Sequence, residues 1–262
     1  MPDGVIALSI WQVALAYAFA LMVLIILKWR GIPREKLLIW ATFRMTVQLV
    51  LVGLLLGFVF DHPHPLITTA IVLIMVGFAV FTVLSKFRDE MGPRLKKVVM
   101  ITLPLGTLPI IVFFMFAVIQ VRPYFDPRYV IPLTGMIIGN SMTGISLGLR
   151  SMIDHFSHRH REIEQWLILG AHPAQAVKGV VNGCFDAAIL PTLNSMLGMG
   201  IIFLPGMMSG QILSGIDPTL AILYQIAIMM GILGGVSLTT YLFLLFGSRT
   251  FFNKAQQLVQ KA

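Results

Sequence analysis

Apolar residues run along this chain in seven long stretches, at Val5–Leu27, Leu37–Phe60, Leu66–Leu84, Val98–Ile119, Tyr129–Leu149, Asn182–Leu204 and Thr219–Phe246. Each approaches the roughly 20 residues that a helix needs to cross a ~30 Å hydrocarbon core. The strands of a membrane barrel would be shorter and would alternate in polarity. The pattern therefore predicts an all-α polytopic membrane protein with seven transmembrane helices, forming a single domain over residues 1–262. Asp3 is the only charged side chain before the first stretch, which lacks the basic leader of a cleaved signal peptide.

The polar segments between these stretches set an orientation. Sixteen of the nineteen Lys and Arg residues fall in the 28–36 loop, the 85–97 loop, the 150–181 segment and the C-terminal tail. The alternate loops, at 61–65, 120–128 and 205–218, hold only Arg122 and Arg128. Basic loops stay in the cytoplasm. The expectation is an external N-terminus and a cytoplasmic C-terminus, which an odd number of spans requires.

One polar segment, 150–181, is long enough to carry structure of its own. Leu149, Met152, Ile153 and Phe156 follow helical spacing, so the fifth span is expected to continue beyond the bilayer. Glu162 to Leu169 then reads as a short amphipathic helix. Ile163, Trp166 and Leu167 form its apolar stripe, with Glu162 and Glu164 beside it. Gly170 is a candidate C′ residue, and Pro173 does not easily continue a helix. Such a helix, exposed to the cytosol, suits docking into a partner's groove or lying on the membrane interface.

Composition agrees with the pattern. Of 262 residues 57% are hydrophobic and 11% charged, against about 25% charged in a soluble domain. That excludes an ordinary cytosolic enzyme, a disordered chain and a nucleic-acid-binding domain, despite a net charge of +8. Cys184 is the only cysteine, so no intrachain disulfide can form.

Polar groups inside spans are costly and mark candidate substrate paths. Arg44 and Gln48 share a face of span two; Lys178, Asn182 and Asp186 are spaced by four at the start of span six. Asn140 and Ser141 in span five, Asn194 in span six and Gln225 in span seven complete the polar set, and Met207 and Met208 follow in the 205–218 loop. Thioethers are soft ligands, better suited to copper(I) than to iron. Arg44 and Asp186 are expected at similar depth and to pair, within one subunit or across a dimer. Asp61, His62 and His64 are weak metal candidates in a proline-flanked turn. Gly-x3-Gly pairs at 53/57, 135/139, 144/148 and 231/235 suit close helix packing.

Two resemblances bear on function. Glu164-x5-Gly170-Ala171-x-Pro173 resembles the EAA loop of ABC-transporter permeases, with Gln165 and Trp166 in place of the two alanines. In that family the loop forms a coupling helix that fits a cleft on the ATPase subunit. The resemblance implies coupling roles for Glu162, Glu164, Trp166, Gly170, Ala171 and Pro173. A second resemblance covers nearly the whole chain. Gly135-Met-Ile-Ile-Gly-Asn-Ser-Met142, Leu169-Gly-Ala171, Leu204-Pro-Gly-Met-Met-Ser-Gly-Gln-Ile-Leu-Ser-Gly215, Asp217-Pro218 and Tyr224-Gln-Ile226 are similar to the FetB-type permeases, as are Phe43-Arg44 and Gln48-Leu49. These are bacterial permeases implicated in iron export, with plant relatives linked to aluminium tolerance.

The resemblance implies a permease subunit of an ABC-type exporter in the bacterial inner membrane. It implies a homodimer of this chain with two ATPase partners. No Gly-x4-Gly-Lys-Ser/Thr run occurs, so ATP and Mg belong to the partner subunit and this chain is expected to bind no cofactor and to be no enzyme. Iron is the substrate so implied. A permease for an organic solute such as a nucleotide sugar, and an ATPase-independent channel or secondary transporter, remain open alternatives.

Overall fold

A computed structural model describes residues 6–253 and 255–258. Val5, and Lys254 and Lys261 of the basic tail, lie outside the described residues. The described chain is all-helical, with two isolated β-bridges, Met199–Phe203 and Phe252–Leu258. Its helices are α1 (Ile10–Trp29), α2 (Glu35–Asp61), α3 (Pro65–Lys86), α4 (Pro93–Phe113, extended by a π-helical turn Phe114–Ile119), α5 (Pro127–His158), α6 (His160–Ile168), α7 (Pro173–Ala176), α8 (Lys178–Gly198), α9 (Gly206–Leu213) and α10 (Pro218–Gly247).

The helix starts follow from local chemistry. Proline, whose fixed φ suits a first turn and whose missing N–H costs nothing there, opens α3, α4, α5, α7 and α10. The Asp126 and Asp217 carboxylates cap α5 and α10 by accepting the N–H groups of Arg128 and Thr219. Ser9 and Gln12 form a reciprocal capping box on α1.

Six helices, α1–α5 and α10, are long and apolar enough to cross a membrane. They match six of the seven expected stretches. The seventh stretch, Asn182–Leu204, is not one continuous apolar helix. The helix there begins earlier, at Lys178, and stops at Gly198. A tight turn joined by the Met199–Phe203 bridge takes up the remainder. Asn182, Asp186, Thr192, Asn194 and Ser195 dilute the apolar character of α8, which sets it apart from the other six. At 21 residues it still measures about 30 Å.

Helix α10 is the centre of the bundle and packs against α4, α5 and α8. Ile228, Ile232, Val236, Phe243 and Leu244 are buried along it. The seams are close because small residues line them. A Cβ on Gly106 of α4 would lie 2.5 Å from the Thr239 Cα, and one on Gly144 of α5 would lie 2.8 Å from the Val236 Cγ1. The 144/148 and 231/235 glycine pairs pack inside one chain, whereas Gly53 and Gly57 face open space. Helices α1 and α2 form a peripheral hairpin. No α1 residue is buried, and only Val59 of α2 is. The hydroxyls of Tyr17 and Thr46 meet across it.

The end of the bundle that carries α6 gathers the basic segments. Arg150 on α5 pairs with Glu90 in the α3–α4 loop at 3.2 Å and with Asp154 one turn on. Phe156 of α5 stacks on Phe251 beyond α10, with ring centroids 4.1 Å apart. As expected, α5 runs well past Leu149, with Leu149, Met152 and Phe156 buried.

Candidate functional site

The α6–α7 segment leaves the bundle and returns to it. Ile163 points inward and is 1% exposed, and Leu167 is partly buried against the core. Trp166, Ile168 and Leu169 stay outside at 52%, 83% and 80% exposure. The expected stripe is therefore divided. Ile163 and Leu167 anchor α6 to the bundle, while Trp166 with Ile168 and Leu169 forms a separate outward apolar face. Arg159 and Glu162 form an ion pair at the start of the helix, and the His160 Nδ1 lies 3.4 Å from the Glu164 carboxylate.

A Schellman turn ends α6. The Gly170 N–H donates to the Leu167 carbonyl and the Ala171 N–H to the Trp166 carbonyl, both at 3.0 Å. Gly170 has φ +88°, the left-handed conformation that favours glycine. His172 then caps α7, accepting the Ala174 N–H at its Nδ1, and Pro173 is the first helical residue. Glu164, Leu167, Ile168, Gly170, Ala171 and His172 border a cleft of about 630 Å³ closed on its far side by residues 255–258.

A second site lies toward the opposite end of the bundle, where α5, α8, α9 and α10 converge. A cavity of about 240 Å³ brings together Asn140, Met207 and Gln225 from the predicted set. Met136, Met199 and Met229 line it as well, with Thr192 and Ser195 on the α8 side. The Gln225 Nε2 donates to the Met199 Sδ at 3.8 Å. Met208, the neighbour of Met207, is buried in the packing of α9. Methionines 136, 199 and 229 escape sequence reasoning because each sits in an apolar run where methionine reads as filler.

Other predicted residues are scattered. Ser141 is buried beside the α10 backbone, where its Oγ lies 3.1 Å from the position of a Cβ on Gly235. Asn182 borders a separate cavity with Lys178 and Arg249. Asp186 and Asn194 lie on the exposed face of α8. Gln48 is exposed on α2. Arg44 sits 5.2 Å above the Phe78 ring. Among the described residues neither Arg44 nor Asp186 joins an ion pair, so the expected Arg44–Asp186 bridge does not form within one chain.

His62 and His64 make local contacts in the turn that follows Asp61. The His62 ring stacks on Phe58, and the His64 Nδ1 accepts the Leu66 N–H. Among the described residues no three His, Cys, Asp or Glu side chains are grouped to hold a metal ion.

An all-helical chain with six apolar helices of membrane length, polar groups placed along its interior seams and a structured loop at one end is a multi-pass membrane protein. It belongs to the uncharacterised protein family UPF0014, whose pattern it matches over residues 10–252. It is 35% identical to UPF0014 membrane protein slr1647 of Synechocystis sp., covering 89% of this chain and 90% of that protein. It is 32% identical to UPF0014 membrane protein YjkA of Bacillus subtilis, over 95% and 98% of the two chains. It is 31% identical to the "Probable iron export permease protein FetB" of Escherichia coli, over 95% and 94%. The resemblance to FetB-type permeases read from the 135–142 and 204–215 runs therefore holds across the chain. No solved structure matches it.

Proposed function

We propose that this chain is the permease subunit of an ABC-type exporter that moves a transition-metal ion, iron in the first instance, out of the cytoplasm. ATP and Mg are held by a separate subunit, and two copies of this chain form the pathway in the bacterial inner membrane. The observation that carries this reading is the α6–α7 segment. Its outer apolar face ends in a Schellman turn beside the acidic Glu164, and among the described residues Trp166, Ile168 and Leu169 stay more than half exposed. An amphipathic helix held out on a rigid turn suits a groove on a partner. The name of the Escherichia coli relative supplies export and iron.

In this reading α8 is the seventh crossing. Its exposed face, with Asp186 and Asn194, is covered in the membrane by the second copy or lines the path. The α1–α2 hairpin meets lipid. The test of assembly is affinity purification of the tagged chain from its native membranes, a search of the eluate for a nucleotide-binding subunit, and ATPase assay of the complex in proteoliposomes. A complex whose ATP hydrolysis rises with an iron salt supports the reading, and a monomer that shows no ATPase association overturns it.

The topology yields its own prediction. A reporter fused after Ala262 is expected to read as cytoplasmic and one in the 61–65 loop as external. A reporter in the 199–205 turn is expected to read as external, because α8 then separates that turn from the α6 end. If the 199–205 reporter is cytoplasmic, α8 lies along the surface and the seven-span topology is wrong.

A further inference from the structure

We propose that the cavity between α5, α8, α9 and α10 is a thioether site that binds a soft, singly charged transition-metal ion of the copper(I) class. The proposal does not rest on the iron path proposed above; it assigns a separate soft-metal site inside the bundle.

Four methionines from four separate elements, Met136, Met199, Met207 and Met229, line one space of about 240 Å³. Their positions along the chain span 94 residues, so only the fold brings them together. Asn140 and Gln225 are the amide groups among them. The Gln225 amide N–H, donated to the Met199 Sδ, holds one thioether at the wall. Methionine often fills gaps in a core. Here the four methionines line an open cavity with the buried Gln225 amide and the exposed Asn140 amide, and a gap-filling role leaves no such space.

The lining does not suit a hard, multiply charged ion. It contains no carboxylate, imidazole, thiol or basic group. Hard, multiply charged ions favour carboxylate and carbonyl oxygen, whereas thioethers select copper(I). A wall with amide and hydroxyl oxygens but no charged group offers too little to offset the desolvation of a trivalent ion. A monovalent ion loses far less on leaving water, since the ionic solvation cost rises steeply with charge. The site is chemically distinct from the Asp61, His62 and His64 turn, and it uses residues that no pattern of His, Cys, Asp or Glu would reveal.

The test is calorimetric titration of the full-length protein in lipid nanodiscs with silver(I), the air-stable soft monovalent probe, in a Cys184→Ala background that removes the thiol. One ion per chain is expected to bind tightly. The double variant Met199→Leu, Met207→Leu is expected to weaken binding tenfold or more. Met45→Leu and Met100→Leu, on the exposed outer surface, are expected to change it less than twofold. An equal concentration of iron(III) is expected not to compete. Leucine preserves volume, so folding is checked by monodispersity. If the double variant does not stay monodisperse, the same tenfold criterion applies to Met207→Leu alone, at a half-buried position on α9. Binding within twofold of the parent, or equal loss in the outer-surface controls, overturns the proposal. Because the titration needs no ATPase, silver binding that persists without ATP-driven transport counts against the permease reading alone.

Discussion

Replacing Glu164 with Lys, or Gly170 with Leu, is expected to bring substrate-stimulated ATP hydrolysis by the partner subunit down to the rate of that subunit alone. Both variants are expected to insert and fold. Glu164 is half exposed, and among the described residues its carboxylate meets His160 on its own helix. A Cβ on Gly170 meets no atom within 4 Å. Neither position therefore carries the packing of the bundle. The φ of +88° at Gly170 matters in another way. A side chain there is strained by roughly 1–2 kcal/mol in the left-handed conformation, and relief of that strain re-aims the chain leaving α6. Trp166, Ile168 and Leu169 then present their apolar face at the wrong angle. The Glu164→Lys change leaves the angle intact and inverts the charge beside that face. Trp166→Ala is expected to give a partial loss, because it removes contact area without moving the turn. Unchanged stimulation in both principal variants would falsify the coupling role of this segment.

The helices were legible in the sequence to the extent that a single helix determines its own polarity. Length and apolar content alone define α1 to α5 and α10, and the continuation of α5 to His158 followed from Leu149, Met152 and Phe156 on one face. The Schellman turn at Gly170 was legible for the same reason, because its hydrogen bonds are local. The end of α8 was not. Gly198-Met-Gly200 lies inside an apolar run, and the break there depends on the Met199–Phe203 bridge and on packing against α10. The substrate-path residues were legible singly but not as a group. Asn140 and Gln225 meet in one cavity, while Ser141, one residue from Asn140, turns toward α10. A polar residue in a span signals a cost. Which neighbour offsets it is decided by helix rotation, and rotation is set by contacts between distant segments.

Those contacts make a second strong prediction, at the seam of α4 and α10. Gly106→Ala is expected to destabilise the detergent-solubilised protein and to lower its thermal unfolding midpoint by several degrees. In a bilayer the helices gain nothing by hiding from lipid, so close approach of backbones through small residues carries much of the association. At Gly106 the approach is extreme. An added Cβ would sit 2.5 Å from the Thr239 Cα and 2.5 Å from its Oγ1. The first of these is backbone, so no rotamer change clears it and the two helices must separate. Alanine gains up to about 1 kcal/mol over glycine in helix propensity, but overpacking of this kind costs roughly 1–3 kcal/mol or more. Gly57→Ala, in open space on α2, is expected to be neutral or stabilising and serves as the control for propensity. Gly144→Ala offers a sharper comparison. Its Cβ would meet the Val236 Cγ1 at 2.8 Å, a side-chain atom, so trimming Val236 to Ala is expected to recover much of the loss. Thr239→Gly is expected not to rescue Gly106→Ala, because the obstructing Cα remains. If Gly106→Ala is as stable as the parent, or if Thr239→Gly restores it fully, the α4–α10 seam is not closed by backbone contact.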